Sequence, residues 1–208
     1  MAEFYHNLIT DVSFKLLQDI KRKFDFVLIG GWAVFLYTKA LKSKDIDIIV
    51  DYDQLDKIRK EFDVFKNERL KKYEAKTGET DIDIYLPHFS NIGIPVEEIV
   101  KYTQTIEGFV LPIPEILLIL KIYCFSSRKG SVKGNKDLID IFSILSKEII
   151  DWRKYQEIIA KYNFKDINKN LKDLVSSQGS IPELNLLNHK IAKLKNTVLK
   201  ELNSQMEH

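Results

Sequence analysis

The chain has 208 residues, of which 45% are hydrophobic and 30% charged, enough apolar material to fill one large domain or two small ones. Its 32 basic residues against 30 acidic ones leave a net charge of +2, which excludes a strongly basic nucleic-acid coat. One cysteine, Cys124, excludes an internal disulfide.

The segment 1–11 has neither the basic start nor the apolar stretch of a secretory leader. No apolar run approaches the ~20 residues that span a bilayer, and the longest, 116–125, is interrupted by Lys121. These features predict a cytoplasmic protein.

Leu8, Val12, Leu16 and Ile20 recur every fourth position and predict an amphipathic helix over 7–24. Phe26, Val27, Leu28 and Ile29 form a short apolar run stopped by Gly30-Gly31, the mark of a buried strand entering a turn. A packed helix is then expected to start over 32–37. Residues 45–50 alternate and then become fully apolar, which predicts a strand that opens at a sheet edge and enters the core. A helix is expected over 54–65. Strands over 70–76 and 81–86 are expected to pair antiparallel around Thr77-Gly78, with a further short strand over 103–109.

At Leu111-Pro112-Ile113-Pro114 two prolines preclude a continuous helix or a central strand. Beyond them the pattern is helical over 115–125, 136–146, 152–162 and 182–202. The predicted organisation is an α/β (α+β) domain over 1–110 and a helical subdomain over 111–208.

Two features carry chemistry in the first half. In a strand, residues two apart share a face with Cα atoms about 6.5 Å apart, so Asp45 and Asp47 aim two carboxylates at one point. A hard divalent cation such as Mg²⁺ suits that arrangement. Asp81 and Asp83 repeat it, and if the two strands are neighbours the acids form a ligand set for two metal ions ~3.5–4 Å apart. Sixteen aspartates supply about one such pair by chance, and a solvated strand face is the plain alternative for Asp45 and Asp47 taken alone. A third pair, Asp51 and Asp53, reads as the start of the following helix, one of the two being its N-cap. Gly30-Gly31 lets backbone approach a ligand closely, and a helix N-terminus behind it suits a phosphate. Alone it is an ordinary tight turn. The informative feature is the order: strand, Gly-Gly, helix, then a strand opening on Asp-x-Asp.

That order, Gly30-Gly31 followed after thirteen residues by Asp45-Ile46-Asp47, resembles the signature of the DNA polymerase beta-like nucleotidyltransferase superfamily. Gly-Gly-Trp-Ala-Val ahead of Ser43-Lys44-Asp45-Ile46-Asp47 is similar to its small prokaryotic branches: aminoglycoside, minimal and abortive-infection toxin-type nucleotidyltransferases. The resemblance covers roughly 25–86 well and the helical half loosely. It implies a mixed sheet with flanking helices, two Mg²⁺ ions, and attack of an acceptor hydroxyl on the α-phosphate of a nucleoside triphosphate such as ATP. It also implies that Asp45 and Asp47 are the first two metal-holding carboxylates. The third, which also activates the hydroxyl, falls on Asp83 or Asp81, with Asp83 favoured by the apolar Ile84-Tyr85-Leu86 after it. Gly30, Gly31 and Ser43 would stand near the triphosphate. Many relatives carry Arg or His two residues before that Ser; this chain has Leu41-Lys42, which implies weaker triphosphate binding or a different nucleotide.

In the second half, Lys121 lies in a helix apolar nearly all round, and a buried ammonium needs a partner. An internal salt bridge or snorkelling is one outcome, and a cleft-facing contact with triphosphate is the other. Lys121, Arg128, Lys129, Lys133 and Lys136 form a run without an acidic residue, and Gly130 and Gly134 predict a mobile loop within it. Such unpaired charge suits phosphate or an RNA backbone, against the plain alternative of a solvated loop. Lys136-Asp137-Leu138-Ile139-Asp140-Ile141 resembles a segment of the same small nucleotidyltransferases, which implies that Lys136 and Asp137 line the nucleotide cleft. Leu184, Leu187, Ile191, Leu194, Val198 and Leu202 predict a final helix packed on its own domain rather than a dimer seam. His6, His88, His189 and His208 show no zinc spacing, and Cys124 is expected in the core.

The function so implied is nucleotidyl transfer to a hydroxyl of an RNA, protein or small-molecule acceptor, with a toxin-like role and an antitoxin-type partner. A catalytically silent nucleotide- or RNA-binding module of the same fold is the alternative.

Overall fold

The computed structural model describes residues 7–78, 80–164 and 166–204; His6 and His208 lie outside them. The chain divides into two compact units, Met1–Ile113 and Pro114–His208.

The first unit opens with α1 (Asn7–Lys21), β1 (Val27–Ile29), α2 (Gly30–Thr38), β2 (Ile46–Ile49), α3 (Tyr52–Ile58), β3 (Val64–Asn67), β4 (Lys72–Lys76) and β5 (Asp81–Tyr85). It continues with β6 (Asn91–Ile92), β7 (Ile94–Pro95), α4 (Val96–Ile99), β8 (Thr103–Ile106) and β9 (Phe109–Pro112). Seven of these strands form a mixed sheet in the order β3-β4-β5-β2-β1-β9-β8. Alternation explains its core: Ile46, Ile48, Tyr73, Ala75, Ile82 and Ile84 are buried, while Asp47, Glu74, Asp81, Asp83 and Tyr85 between them are half-exposed. Trp32 of α2 is fully buried against Phe14 of α1, and its indole donates to Ser13 Oγ at 2.9 Å. That anchor fixes the helix that begins at Gly30.

Four local expectations are corrected. β2 lies at the centre of the sheet, not at an edge, because β1 and β5 pair with it on either side. The helix expected over 54–65 stops at Ile58, and the β-branched and aromatic Val64 and Phe65 enter β3. The strand expected over 103–109 is half of a hairpin: Glu107 and Gly108, at φ 50° and 76°, make a two-residue turn into β9. Pro112 therefore ends a strand inside the sheet. It is tolerated because β9 meets β1 only at Val27↔Val110, so no ladder bond to β1 is asked of its missing N–H.

The second unit contains α5 (Pro114–Arg128), α6 (Val132–Leu145), α7 (Trp152–Lys161), α8 (Ile167–Ser177), a 3₁₀ turn (Pro182–Leu184) and α9 (Asn188–Ser204). α8 was not predicted. α5 is buried without interruption from Pro114 to Ile122 because α6, α7 and α8 all pack on it. Ile191, Leu194, Val198 and Leu202 of α9 are buried and α9 packs on α8, whereas Leu187 precedes the helix and is exposed. Gly134 lies in the first turn of α6, not in a loop. Its N–H caps onto Ser131 Oγ at 3.0 Å, and a Cβ there would overlap the Arg128 carbonyl. Among the described residues no helix is long and apolar enough to cross a membrane.

Candidate active site

Register builds the site. β1 pairs antiparallel with β2 so that Ile29 faces Asp47, and the next residue, Gly30, turns the chain into α2 against the Asp47 side chain. Gly30 has φ 69°, and a Cβ on it would collide with the Asp47 carboxylate, whose Cγ would stand 2.7 Å away. Glycine is thus required here twice, for its backbone angle and for space. No side chain caps the start of α2, whose first turn holds no acidic residue.

β2 pairs in parallel with β5, which sets Asp47 opposite Asp83; β4 pairs antiparallel with β5, which sets Glu74 opposite Asp83. Residues opposite one another share a face, so Glu74, Asp83 and Asp47 form a row across three strands. Asp45 stands just before β2 and is half-exposed, and Ser43 is buried two residues earlier. Tyr85, two residues beyond Asp83 on the same face, donates its hydroxyl to Asp47 Oδ1 at 3.3 Å.

The row is negatively charged but not without cations. Lys72 Nζ lies 2.6 Å from Asp83 Oδ2 and 3.0 Å from Glu74 Oε1. Burial pushes the Asp83 carboxyl above its usual pKa; Lys72 opposes that rise, and Glu74 and Asp45 add to it by repulsion. Asp81 is differently placed: it pairs at 2.6 Å with its register partner Lys76, and both are more exposed than Lys72 and Asp83. The carboxylates of Asp45, Asp47 and Asp83 are hard oxygen donors of the kind Mg²⁺ takes, so the chemistry of the set fits that ion. At Asp83 an ammonium already engages one carboxylate oxygen, Oδ2, and at Asp47 the Tyr85 hydroxyl engages Oδ1. Among the described residues, no group of three or more His, Cys, Asp or Glu side chains is arranged to hold a metal.

Glu74, Lys72 and Tyr85 escaped the sequence reading. The signal was present: an antiparallel pair about Thr77-Gly78 puts Lys72, Glu74 and Lys76 on one face with Asp81 and Asp83 once its register is counted out.

In the second unit Lys121, Asp137 and Asp140 form a buried cluster with the half-exposed Arg128 at its edge. Lys121 Nζ is 2.6 Å from Asp140 Oδ2 and 3.3 Å from Asp137 Oδ1, and Arg128 Nε is 3.0 Å from Asp137 Oδ2. Burial opposes the Lys121 charge, yet Asp140 and Asp137 outweigh it and hold the ammonium pKa above its usual value. This corrects the expectation of unpaired positive charge: Lys121 and Arg128 are neutralised from α6, one turn apart at Asp137 and Asp140. Lys136 is half-buried beside them. Cys124 is half-buried rather than core, because it sits where α5 begins to emerge beside the exposed Tyr123.

No known family model matches the chain, and no curated protein does. Solved structures do. ANT(2'')-Ia in complex with adenylyl-2''-tobramycin aligns with a TM-score of 0.54 at 14% identity, over 77% of this chain and 99% of that one. JHP933 from Helicobacter pylori aligns with a TM-score of 0.55 at 16% identity, over 97% of this chain and 96% of that one. The solution structure of the antibiotic-resistance factor ANT(2'')-Ia aligns with a TM-score of 0.51 at 14% identity, over 76% and 92%. At identities this low the structural likeness shows the fold alone: an α/β nucleotidyltransferase fold, its mixed sheet flanked by helices and followed by a C-terminal helical subdomain.

Proposed function

We propose that the chain is a Mg²⁺-dependent nucleotidyltransferase that moves a nucleoside monophosphate from a nucleoside triphosphate to an acceptor hydroxyl. The observation that carries this reading is the register pairing of Asp47 with Asp83 beside a glycine whose missing side chain makes room for the Asp47 carboxylate. In this reading Asp45 and Asp47 hold the metal. Asp83, rather than the Lys76-paired Asp81, completes the set and takes the proton of the attacking hydroxyl. A bound divalent ion would neutralise charge on the phosphates and polarise the scissile bond. The protein's part is placement. Gly30 and Gly31 open the start of α2 to the triphosphate, where helix N–H groups and the dipole favour an anion, and Ser43 stands on the same approach. Tyr85 holds Asp47 in position through its hydroxyl.

Lys121 we assign to its ion pairs with Asp137 and Asp140. Lys136 and Asp137 remain proposals toward the nucleotide, on the motif resemblance alone. The ANT(2'')-Ia structure holds adenylyl-2''-tobramycin, which favours a small-molecule hydroxyl as one acceptor class. The exposed Lys129 and Lys133 favour RNA or protein, and with them a toxin-like role restrained by an antitoxin-type partner.

The test is incubation of the wild type and Asp47→Asn with each α-labelled nucleoside triphosphate, Mg²⁺ and total cell extract, followed by separation of labelled macromolecules and small molecules. Label transfer by the wild type alone supports the assignment and identifies the acceptor class. Equal labelling by both proteins overturns it. Calorimetric binding of ATP with no product from any extract would select the silent binding module, for which the Lys72–Asp83 ion pair is the favouring observation.

A further inference from the structure

The transfer reading gives Lys72 no part, yet its ammonium is bonded to the candidate third carboxylate, Asp83. β4 presents Lys72 and Glu74 on the face that carries Asp83. The ammonium is bonded to both acids, and the Lys72, Asp83 and Glu74 side chains keep only 13%, 19% and 21% of their exposure. The neighbouring Lys76–Asp81 pair keeps 53% and 36%, the condition in which ion pairs are weak. Shielding from water makes the Lys72 pair the harder of the two to break. A divalent ion bonds carboxylate oxygens at about 2.0–2.1 Å for Mg²⁺, and at Asp83 it would compete with the Lys72 ammonium held on Oδ2.

Resting on the proposed metal role of Asp45 and Asp47, we propose that Lys72 is a resident counter-cation of the third carboxylate. The nucleotide-free chain therefore takes one divalent ion, at Asp45 and Asp47, and a second enters at Asp83 only in competition with the Lys72 ammonium. Lys72 is a positioning residue in this scheme: it keeps Asp83 and Glu74 from repelling each other until a second cation replaces it.

Mn²⁺ binding, read by electron paramagnetic resonance and calorimetry without nucleotide, tests this independently of activity. The wild type is expected to bind one Mn²⁺ per chain. Lys72→Gln is expected to bind two, the second at least about tenfold more tightly than any second ion the wild type takes at higher Mn²⁺, because a competing positive charge is removed from the carboxylate. Lys72→Arg, which keeps the charge, should stay at one. Asp83→Asn should also keep the single wild-type site, and serves if Lys72→Gln does not fold. Two ions in the wild type with no gain in Lys72→Gln, or loss of the single site in Asp83→Asn, overturns the role of Lys72. Undiminished binding by Asp47→Asn overturns instead the metal reading of Asp45 and Asp47, whatever Lys72 does.

Discussion

The carboxylate row of the sheet and the buried cluster of the helical unit are made from the same residue types and come to opposite ends. In the helical unit two cations, Lys121 and Arg128, meet two carboxylates, Asp137 and Asp140, and both acids are almost fully shielded. Charge there is balanced, and its removal from water demands that it be so. On the sheet Asp45, Asp47, Asp83 and Glu74 share one region with Lys72, and every one of those acids is half-exposed. That excess of negative charge survives because its shielding is partial, Asp83 and Glu74 keeping 19% and 21% of their exposure against 7% and 1% for Asp137 and Asp140, and it suits a site that receives a cation. Balance marks a structural cluster; imbalance kept half-wet marks a receptive one.

The contrast is sharpest in stability. Lys121→Met should leave two carboxylates buried beside Arg128 alone and cost about 3–5 kcal/mol in denaturant unfolding. Pairing it with Asp140→Leu should recover most of that loss, a coupling measurable in a double-mutant cycle. Asp47→Asn, on the half-exposed row, should change stability by about 0.5 kcal/mol or less while transfer falls by about two to three orders of magnitude. A large stability loss from Asp47→Asn would erase the distinction between the two clusters.

Backbone substitutions come next in size. Gly30→Ala forces a side chain to φ 69° and into the Asp47 carboxylate, and should cost about 1–3 kcal/mol together with transfer activity. Gly134→Ala meets the Arg128 carbonyl and should cost a similar ~1–3 kcal/mol by overpacking, but leave Mn²⁺ binding by the first unit unchanged. Thermal unfolding of the two variants, beside metal binding, separates a glycine of the site from a glycine of the scaffold.

The smallest effect is a pH dependence at the margin of the buried cluster. Burial pushes the Cys124 thiol above its usual pKa, Asp137 adds to the rise, and Arg128 and Lys121 oppose it. A raised pKa means less thiolate at any given pH, so alkylation should be slow near neutrality and gain rate only above the range of an ordinary cysteine. Because the neutral thiol is favoured in the folded state, its contribution to stability is present below the unfolded pKa and is lost as pH rises through the folded one. Asp137→Asn should speed alkylation at fixed pH; an unchanged rate would show that Cys124 does not sense the cluster.

Much of this was legible from residue order. The strand–Gly-Gly–helix–Asp-x-Asp series marked α2, β2 and the Asp47 side of the site, because a run of apolar residues, a glycine pair and a period-two alternation are local signals. The helical character of the second half followed from its apolar periodicity, although α8 escaped notice. Long-range pairing was not legible. That Asp83 rather than Asp81 faces Asp47 depends on the β2–β5 register, and these two strands are separated by α3, β3 and β4. Lys121 shows the same limit: the sequence required a partner for a buried ammonium and offered two, and only the packing of α6 on α5 chose Asp140 and Asp137. Local chemistry settled which groups this chain carries and where its backbone must turn. Tertiary structure decided which charges are balanced, because burial and cross-strand register are properties of surfaces that meet only after folding.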